Sequence, residues 1–268
     1  MKKTAFLCLA LAAVLYFTGS FWKPLASGQS GLPGYASARK MTGSQGMGET
    51  SQQAGEMKEQ ALIKDFEIVR QMPELPTGCE ITALTMMLDY YGCQADKTIM
   101  AEEYLPTVPA EFYEGADGRI YGPDMEANFV GDPFSGGYIC GTDAILSAAD
   151  AYLSDQGSSL RAKDLTGTEP EELYKCVSDG IPVLVWITIG MQERDEVHGW
   201  YTEVGRWMGW SSNDHGAVLI GYDADTVTIA DPLSGLRVYA REMFEHVFAS
   251  RGYQCIIISG EQSVKARR

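Results

Sequence analysis

Three residue types that together do thiol chemistry stand in three separate contexts of this 268-residue chain. Cys79 lies in Leu75-Pro76-Thr77-Gly78-Cys79-Glu80, directly ahead of an amphipathic run. His215 opens His215-Gly216-Ala217-Val218-Leu219-Ile220-Gly221-Tyr222, and Asp231 closes Ile229-Ala230-Asp231-Pro232. A thiol at a helix start, an imidazole opening a strand and a carboxylate ending the next strand are the parts of an activated nucleophile. The thiolate attacks, the imidazole moves the proton, and the carboxylate orients the imidazole. Each residue alone has a plainer reading: a buried apolar Cys, a strand-end His, and an Asp that opens a turn before Pro.

The elements that must position these groups are legible around them. Ala83, Leu84, Met87, Leu88 and Tyr91 fall on one face at helical spacing, which predicts a helix over 79–91 stopped by Gly92. Thr77 and Glu80 have the spacing of a capping box, which puts Cys79 in the first turn. There the helix dipole and free N–H groups are expected to lower the thiol pKa. A loop-rich stretch follows over 95–140, then helices over Thr142–Asp155 and Pro170–Ser178. Residues 182–189 form a nearly continuous apolar strand. Strands over 215–222 and 226–230 follow, joined through Asp223-Ala224-Asp225. A short strand (236–239), a short helix (241–248) and a last strand (253–258) complete the pattern. Helices first and an antiparallel sheet second indicate an α+β class. A turn centred near Asp223 or Ala224 pairs Asp231 with His215 or with Ala217. Both registers put His215 and Asp231 on one face.

The ends of the chain read differently. Lys2-Lys3 precede an apolar run over residues 4–22, the order of a secretory signal. The run approaches the roughly 20 residues that span a bilayer. Export is expected, to the cell envelope or beyond, with a cleaved signal and a retained anchor both open. Cys8 is an apolar residue within the run. Residues 23–65, rich in Gly, Ser, Ala and Gln, read as a flexible tether, and 261–268 as a polar tail. One domain over 66–260 remains. The net charge is −15, and basic residues gather towards the two ends, so the domain is more acidic still. Such a surface repels nucleic acid and anionic lipid. It suits a peptide or protein substrate, cationic ones included, although acidity that serves only solubility fits equally well. A monomer is expected, touching membrane only through its N-terminal segment.

Cys93, Cys140, Cys176 and Cys255 allow three disulfide pairings if export oxidises them, and four free thiols fit as well. No pair has Cys-x-x-Cys spacing, so neither a metal nor a cofactor is expected. His198, Trp200 and Trp210 lie in an aromatic stretch between the apolar strand and the His215 strand. They are candidates for a substrate cleft, or for a surface loop with a hydrophobic anchor. His246 reads as structural.

Cys79 and His215 stand 136 positions apart, inside the roughly 130–150 of papain-like enzymes. The chain resembles the papain-clan cysteine peptidases of family C-thirty-nine, in particular the free-standing bacterial C-thirty-nine-like proteins. The resemblance is carried by Pro73-Glu74-Leu75-Pro76-Thr77-Gly78-Cys79-Glu80, by the His215–Tyr222 and Ile229–Pro232 motifs, and by Gly131-Asp132-Pro133-Phe134. It covers nearly all of 66–260. It implies a papain-like fold, with a helical N-terminal half packed on an antiparallel β-sheet. Cys79 would be the nucleophile, His215 the general base and acid, and Asp231 the orienting group. In the double-glycine leader peptidases of the family, a Gln six positions before the Cys helps form the oxyanion hole. Pro73 occupies that position here, so Gln71, eight before, is the candidate, with the Cys79 backbone N–H as a second donor. The function implied is peptide-bond hydrolysis through a thioester acyl-enzyme. A catalytically silent peptide-binding module and acyl transfer to an amine are the alternatives.

Overall fold

The computed structural model describes residues 57–260. The expected signal segment with Cys8, most of the expected tether and the tail over 261–268 lie outside these residues. In chain order come β1 (Ala61–Leu62), α1 (Cys79–Tyr90) and α2 (Lys97–Ile99), which runs into a π-helical turn over Met100–Tyr104. Five short strands follow: β2 (Thr107–Val108), β3 (Tyr113–Glu114), β4 (Ile120–Tyr121), β5 (Phe129–Asp132) and β6 (Gly136–Gly137). Then come α3 (Thr142–Asp155), β7 (Arg161–Asp164), α4 (Pro170–Ser178), β8 (Val183–Thr188), β9 (His198–Tyr201) and β10 (Trp207–Trp210). The chain closes with β11 (Asp214–Tyr222), β12 (Thr226–Asp231), β13 (Gly235–Ala240), α5 (Arg241–Ser250) and β14 (Cys255–Ser259).

The main sheet has the order β13-β12-β11-β8-β14-β7, with β1 added to the end of β11. Its paired strands are all antiparallel. β8 and β11 are buried along their whole length. Continuous burial of alternating side chains requires cover on both faces of the sheet. α1 packs with α3 and against β8 and β11. α4 and α5 meet through Tyr174 and Phe244, and α5 lies on β8, β12 and β13. The fold is thus α+β, as the sequence pattern indicated.

Where the sequence fell short, a local reason is visible. β1 pairs with Gly221 and Tyr222, and Lys58 Nζ donates to Ser178 O at 2.8 Å, so the folded part begins ahead of residue 66. β7 reads Arg-Ala-Lys-Asp, a charged edge strand with no apolar alternation to mark it. Strands of two residues leave no period to detect, which hid most of β2–β6 in a stretch expected to be loop. The aromatic stretch before β11 is a hairpin, β9–β10, extended by β4 and β3 into a second small sheet. The five cysteines within 57–260 are all free thiols.

The capping box does not form. Gly78 is the N-cap of α1, without a side-chain cap bond. Thr77 Oγ1 instead donates to Asp132 O at 3.4 Å, tying the loop before Cys79 to the end of β5. Every residue of α1 from Cys79 to Leu88 is buried, and Glu80 is drawn inward, meeting Cys79 and Cys140 as well as its own backbone N–H. That burial depends on a missing side chain. A Cβ at Gly216 would lie 2.8 Å from Glu80 Cγ and 3.0 Å from Glu80 Cα. Only glycine lets β11 and the first turn of α1 approach so closely. We predict that Gly216→Ala lowers stability by about 1–3 kcal/mol through overpacking, read from denaturant midpoints. An unchanged midpoint would show that this contact yields freely.

Candidate active site

His215 and Asp231 are brought together by the β11–β12 hairpin, and a β-bulge decides how. Tyr222 pairs with Val227 and Gly221 with Thr228. Continued without interruption, that ladder would set Asp231 opposite Val218, on the other face from His215. The register shifts between Leu219 and Gly221, so that Leu219 meets Ile229 and Val218 meets Ala230. The extra residue, Ile220, restores the parity and levels Asp231 with Ala217, a diagonal neighbour of His215. The result is a buried bond between His215 Nε2 and Asp231 Oδ1 of 2.9 Å.

Asp231 is further held by the turn that follows it. Its carboxylate accepts the backbone N–H groups of Leu233 (2.7 Å) and Ser234 (3.0 Å) and the Ser234 hydroxyl (2.8 Å). Burial opposes its ionisation, but the bonds from His215 and Ser234 prevail and hold the carboxyl well below the usual range. His215 and Asp231 are both about 2% exposed. With Nε2 engaged by Asp231, Nδ1 is the other ring nitrogen of His215.

Cys79 stands at the start of α1, 8% exposed, with its sulfur against the backbone N–H of Gly216, one residue after His215. The expected lowering of its pKa does not occur. Burial, and then the neighbouring Glu80 carboxyl, push the thiol well above its ordinary value, outweighing the Gly216 N–H. The S–H donates to Glu80 Oε2 at 3.1 Å. Glu80 is 1% exposed, and its Oε1 accepts the Cys140 N–H at 3.3 Å. Burial raises its pKa despite these bonds and the nearby imidazole. The helix dipole supplies tenths of a kcal/mol to about 2 kcal/mol, less than desolvation of a buried thiolate costs.

Gln71 is buried close to the same loop. Its backbone N–H donates to Pro232 O at 2.9 Å, next to Asp231. Its Nε2 donates to Leu75 O (3.2 Å) and Pro76 O (3.1 Å), while Oε1 has no partner among the described residues. The opposite amide orientation would face oxygen with two carbonyl oxygens, so the donors are committed to bracing the Leu75–Pro76 segment. His198 and Trp210 face each other across β9 and β10. His198 is exposed and near Glu196. Trp200 does not line an open cleft: it is 4% exposed in a small core with Met125, Val130 and Met208, and its Nε1 donates to Pro123 O at 2.7 Å.

Two features of the site escaped the sequence reading. One is the turn of Glu80 towards sulfur, for which the Cys-Glu pair was the available signal. The other is Asp214, which points to the face of β11 away from His215. Its carboxylate accepts Arg194 (2.8 and 2.9 Å), Arg251 Nη1 (2.9 Å) and the Ser211 N–H (2.9 Å). This buried cluster fixes the start of β11, where His215 sits.

A thiol at a helix start, beside a hairpin that carries a His–Asp pair on an antiparallel sheet, defines a papain-like cysteine-peptidase scaffold. The sequence pattern of the Peptidase_C39 like family matches residues 63–256, and the chain belongs to that family. It is 29% identical over 231 residues to YvpB of Bacillus subtilis (strain 168), covering 85% of this chain and 88% of that protein. Among solved structures it is similar to a protein of Bacillus anthracis described as a C-thirty-nine-like peptidase. Identity there is 33% and the TM-score 0.66, over 76% of this chain and 99% of the other. A double-glycine motif protease of an AMS/PCAT transporter, solved with its leader peptide, is 18% identical with a TM-score of 0.39. The match covers 76% of this chain and 99% of the other.

The low folded-state pKa of Asp231 makes a pH signature. Its unfolded value is near 3.9, so its bonds stabilise the fold fully above about pH 5 and are lost as pH falls through the folded value. Asp231→Asn is therefore expected to be less stable than wild type at pH 7. The gap should close steadily below about pH 4. A gap that persists unchanged at pH 2 in urea unfolding would contradict the assignment of the carboxylate as the ionised partner.

Proposed function

We propose that this protein is an exported cysteine peptidase that uses Cys79 as nucleophile, His215 as general base and acid, and Asp231 as the orienting carboxylate. The observation that carries the reading is the buried 2.9 Å His215–Asp231 bond, which leaves Nδ1 free on a strand whose next residue touches the Cys79 sulfur. On substrate arrival the thiol proton passes to Nδ1 and sulfur bonds to the scissile carbonyl carbon. The oxyanion that forms takes the Cys79 backbone N–H in the first turn of α1. Collapse breaks the C–N bond as His215 returns the proton to the leaving amine, giving a thioester. A water, deprotonated by the same imidazole, then releases the acid. The acidic domain favours peptides with basic residues, and the run over 4–22 carries the chain out of the cytoplasm.

A second reading is a peptide-binding module without turnover. The burial of Cys79 and the commitment of both Gln71 donors to the preceding loop favour it.

One experiment separates the two. A peptide mixture is incubated with wild type, Cys79→Ala and His215→Ala, products are read by mass spectrometry, and a peptidyl chloromethyl ketone probes the site. For the enzyme, Cys79→Ala abolishes cleavage, and His215→Ala lowers kcat roughly 10²–10⁴-fold. The ketone then alkylates Cys79 in wild type, displacing chloride and adding the mass of the reagent less HCl. Retained peptides with neither cleavage nor labelling would sink the enzyme and favour the module.

A further inference from the structure

Glu80 is a buried acid that the proposed reaction does not use. It is 1% exposed in a helix buried along most of its length, and burying a carboxyl costs several kcal/mol unless its bonds compensate. An apolar residue would fill the space at no such cost, so its partners indicate its purpose. Oε1 is fixed by the Cys140 N–H at 3.3 Å, just ahead of α3. The carbon stem is fixed by Gly216, whose missing Cβ is what leaves room for it. Oε2 is thereby aimed at the Cys79 sulfur, 3.1 Å away.

We infer that Glu80 is a positioning residue that holds the Cys79 thiol in reserve, keeping its proton away from His215 until substrate enters. The inference rests on the reading of Cys79 as nucleophile. A thiol has one proton and donates one hydrogen bond. While the S–H is donated to Glu80, the proton stays on sulfur, and Cys79 is a neutral thiol rather than half of a resting thiolate–imidazolium pair. For reaction the S–H must turn from Oε2, give its proton to His215 Nδ1 and place its electron pair on the substrate carbonyl. Between turnovers the sulfur is guarded against electrophiles. The charged and titratable groups that bear on Glu80 are Cys79 on α1, His215 on β11 and Arg251 after α5; Cys79, Glu80 and Glu126 in turn bear on Cys140, ahead of α3.

The test is alkylation of Cys79 by iodoacetamide against pH, followed by mass spectrometry of the Cys79-containing peptide. In wild type the rate at pH 7 should fall below that of the same thiol in denatured chain, with an alkaline inflection. Glu80→Gln removes the acid and offers an amide N–H to sulfur. Its inflection should move to lower pH, with the pH 7 rate rising about tenfold for each unit moved. A merely structural Glu80 would change thermal stability without moving the inflection. A folded Glu80→Gln with an unmoved inflection overturns the inference. If that variant does not fold, the infrared difference between wild type and Cys79→Ala at pH 7 decides. A hydrogen-bonded S–H band assigned to Cys79 supports the reserve state, and absence of any S–H band from Cys79 overturns it. Alkylation requires no turnover. Failure to cleave peptides would thus fell the peptidase reading while leaving the role of Glu80 to be judged on its own result.

Discussion

The arrangement depends on one close approach, between the first turn of α1 and the backbone of β11 at Gly216. Any side chain there would collide with Glu80 Cα and Cγ. With glycine, the helix start presses on the strand, Cys79 meets the Gly216 N–H, and Glu80 is confined beneath the sulfur. Close packing makes this contact discrete, because interiors packed like crystals do not absorb an extra methyl group smoothly. The loop before Cys79 is drawn in to match. Gln71 binds the Leu75 and Pro76 carbonyls from within and Pro232 from its backbone, while Thr77 reaches the end of β5.

β11 carries opposite charge arrangements on its two faces. One face bears His215 with Asp231, and the other bears Asp214 with Arg194 and Arg251. Both carboxylates are buried, and both reach saturation through backbone N–H groups as well as their cationic or imidazole partners. Removing one partner would leave an uncompensated buried charge, which costs far more than the net worth of the pair. The strand's start is therefore pinned from both sides, and the imidazole has little freedom to leave its carboxylate. Restraint of that kind fixes the orientation of the imidazole in advance.

Much of this was legible in the sequence because long periodic elements carry strong signals. α3 and α4 begin and end where spacing, Asp-Gly and Pro signals placed them, and β8 showed as an unbroken apolar run. The two-residue strands were too short to show a period, and β2, β4 and the charged edge strand β7 also owe their strand state to partners far away in sequence. Trp200 illustrates the same limit. Its type suggested a ligand-facing aromatic, and only the β9–β4 pairing encloses it in a separate small core.

The sequence by itself determined the class of fold and the identities of the thiol, imidazole and carboxylate, because local periodicity and turn chemistry are written in neighbouring residues. It also put His215 and Asp231 on one face, but it did not show the bulge by which the hairpin achieves this. A one-residue slip in a hairpin exchanges the faces of its strands, and the bulge at Ile220 that sets His215 and Asp231 on one face depends on pairing in the assembled sheet. The state of Cys79 was likewise decided in three dimensions. Thr77-Gly78-Cys79-Glu80 reads locally as a cap that would favour a thiolate, whereas burial against β11 turns Glu80 onto the sulfur and keeps the proton there. Desolvation outweighs a helix dipole, and desolvation is a property of tertiary packing.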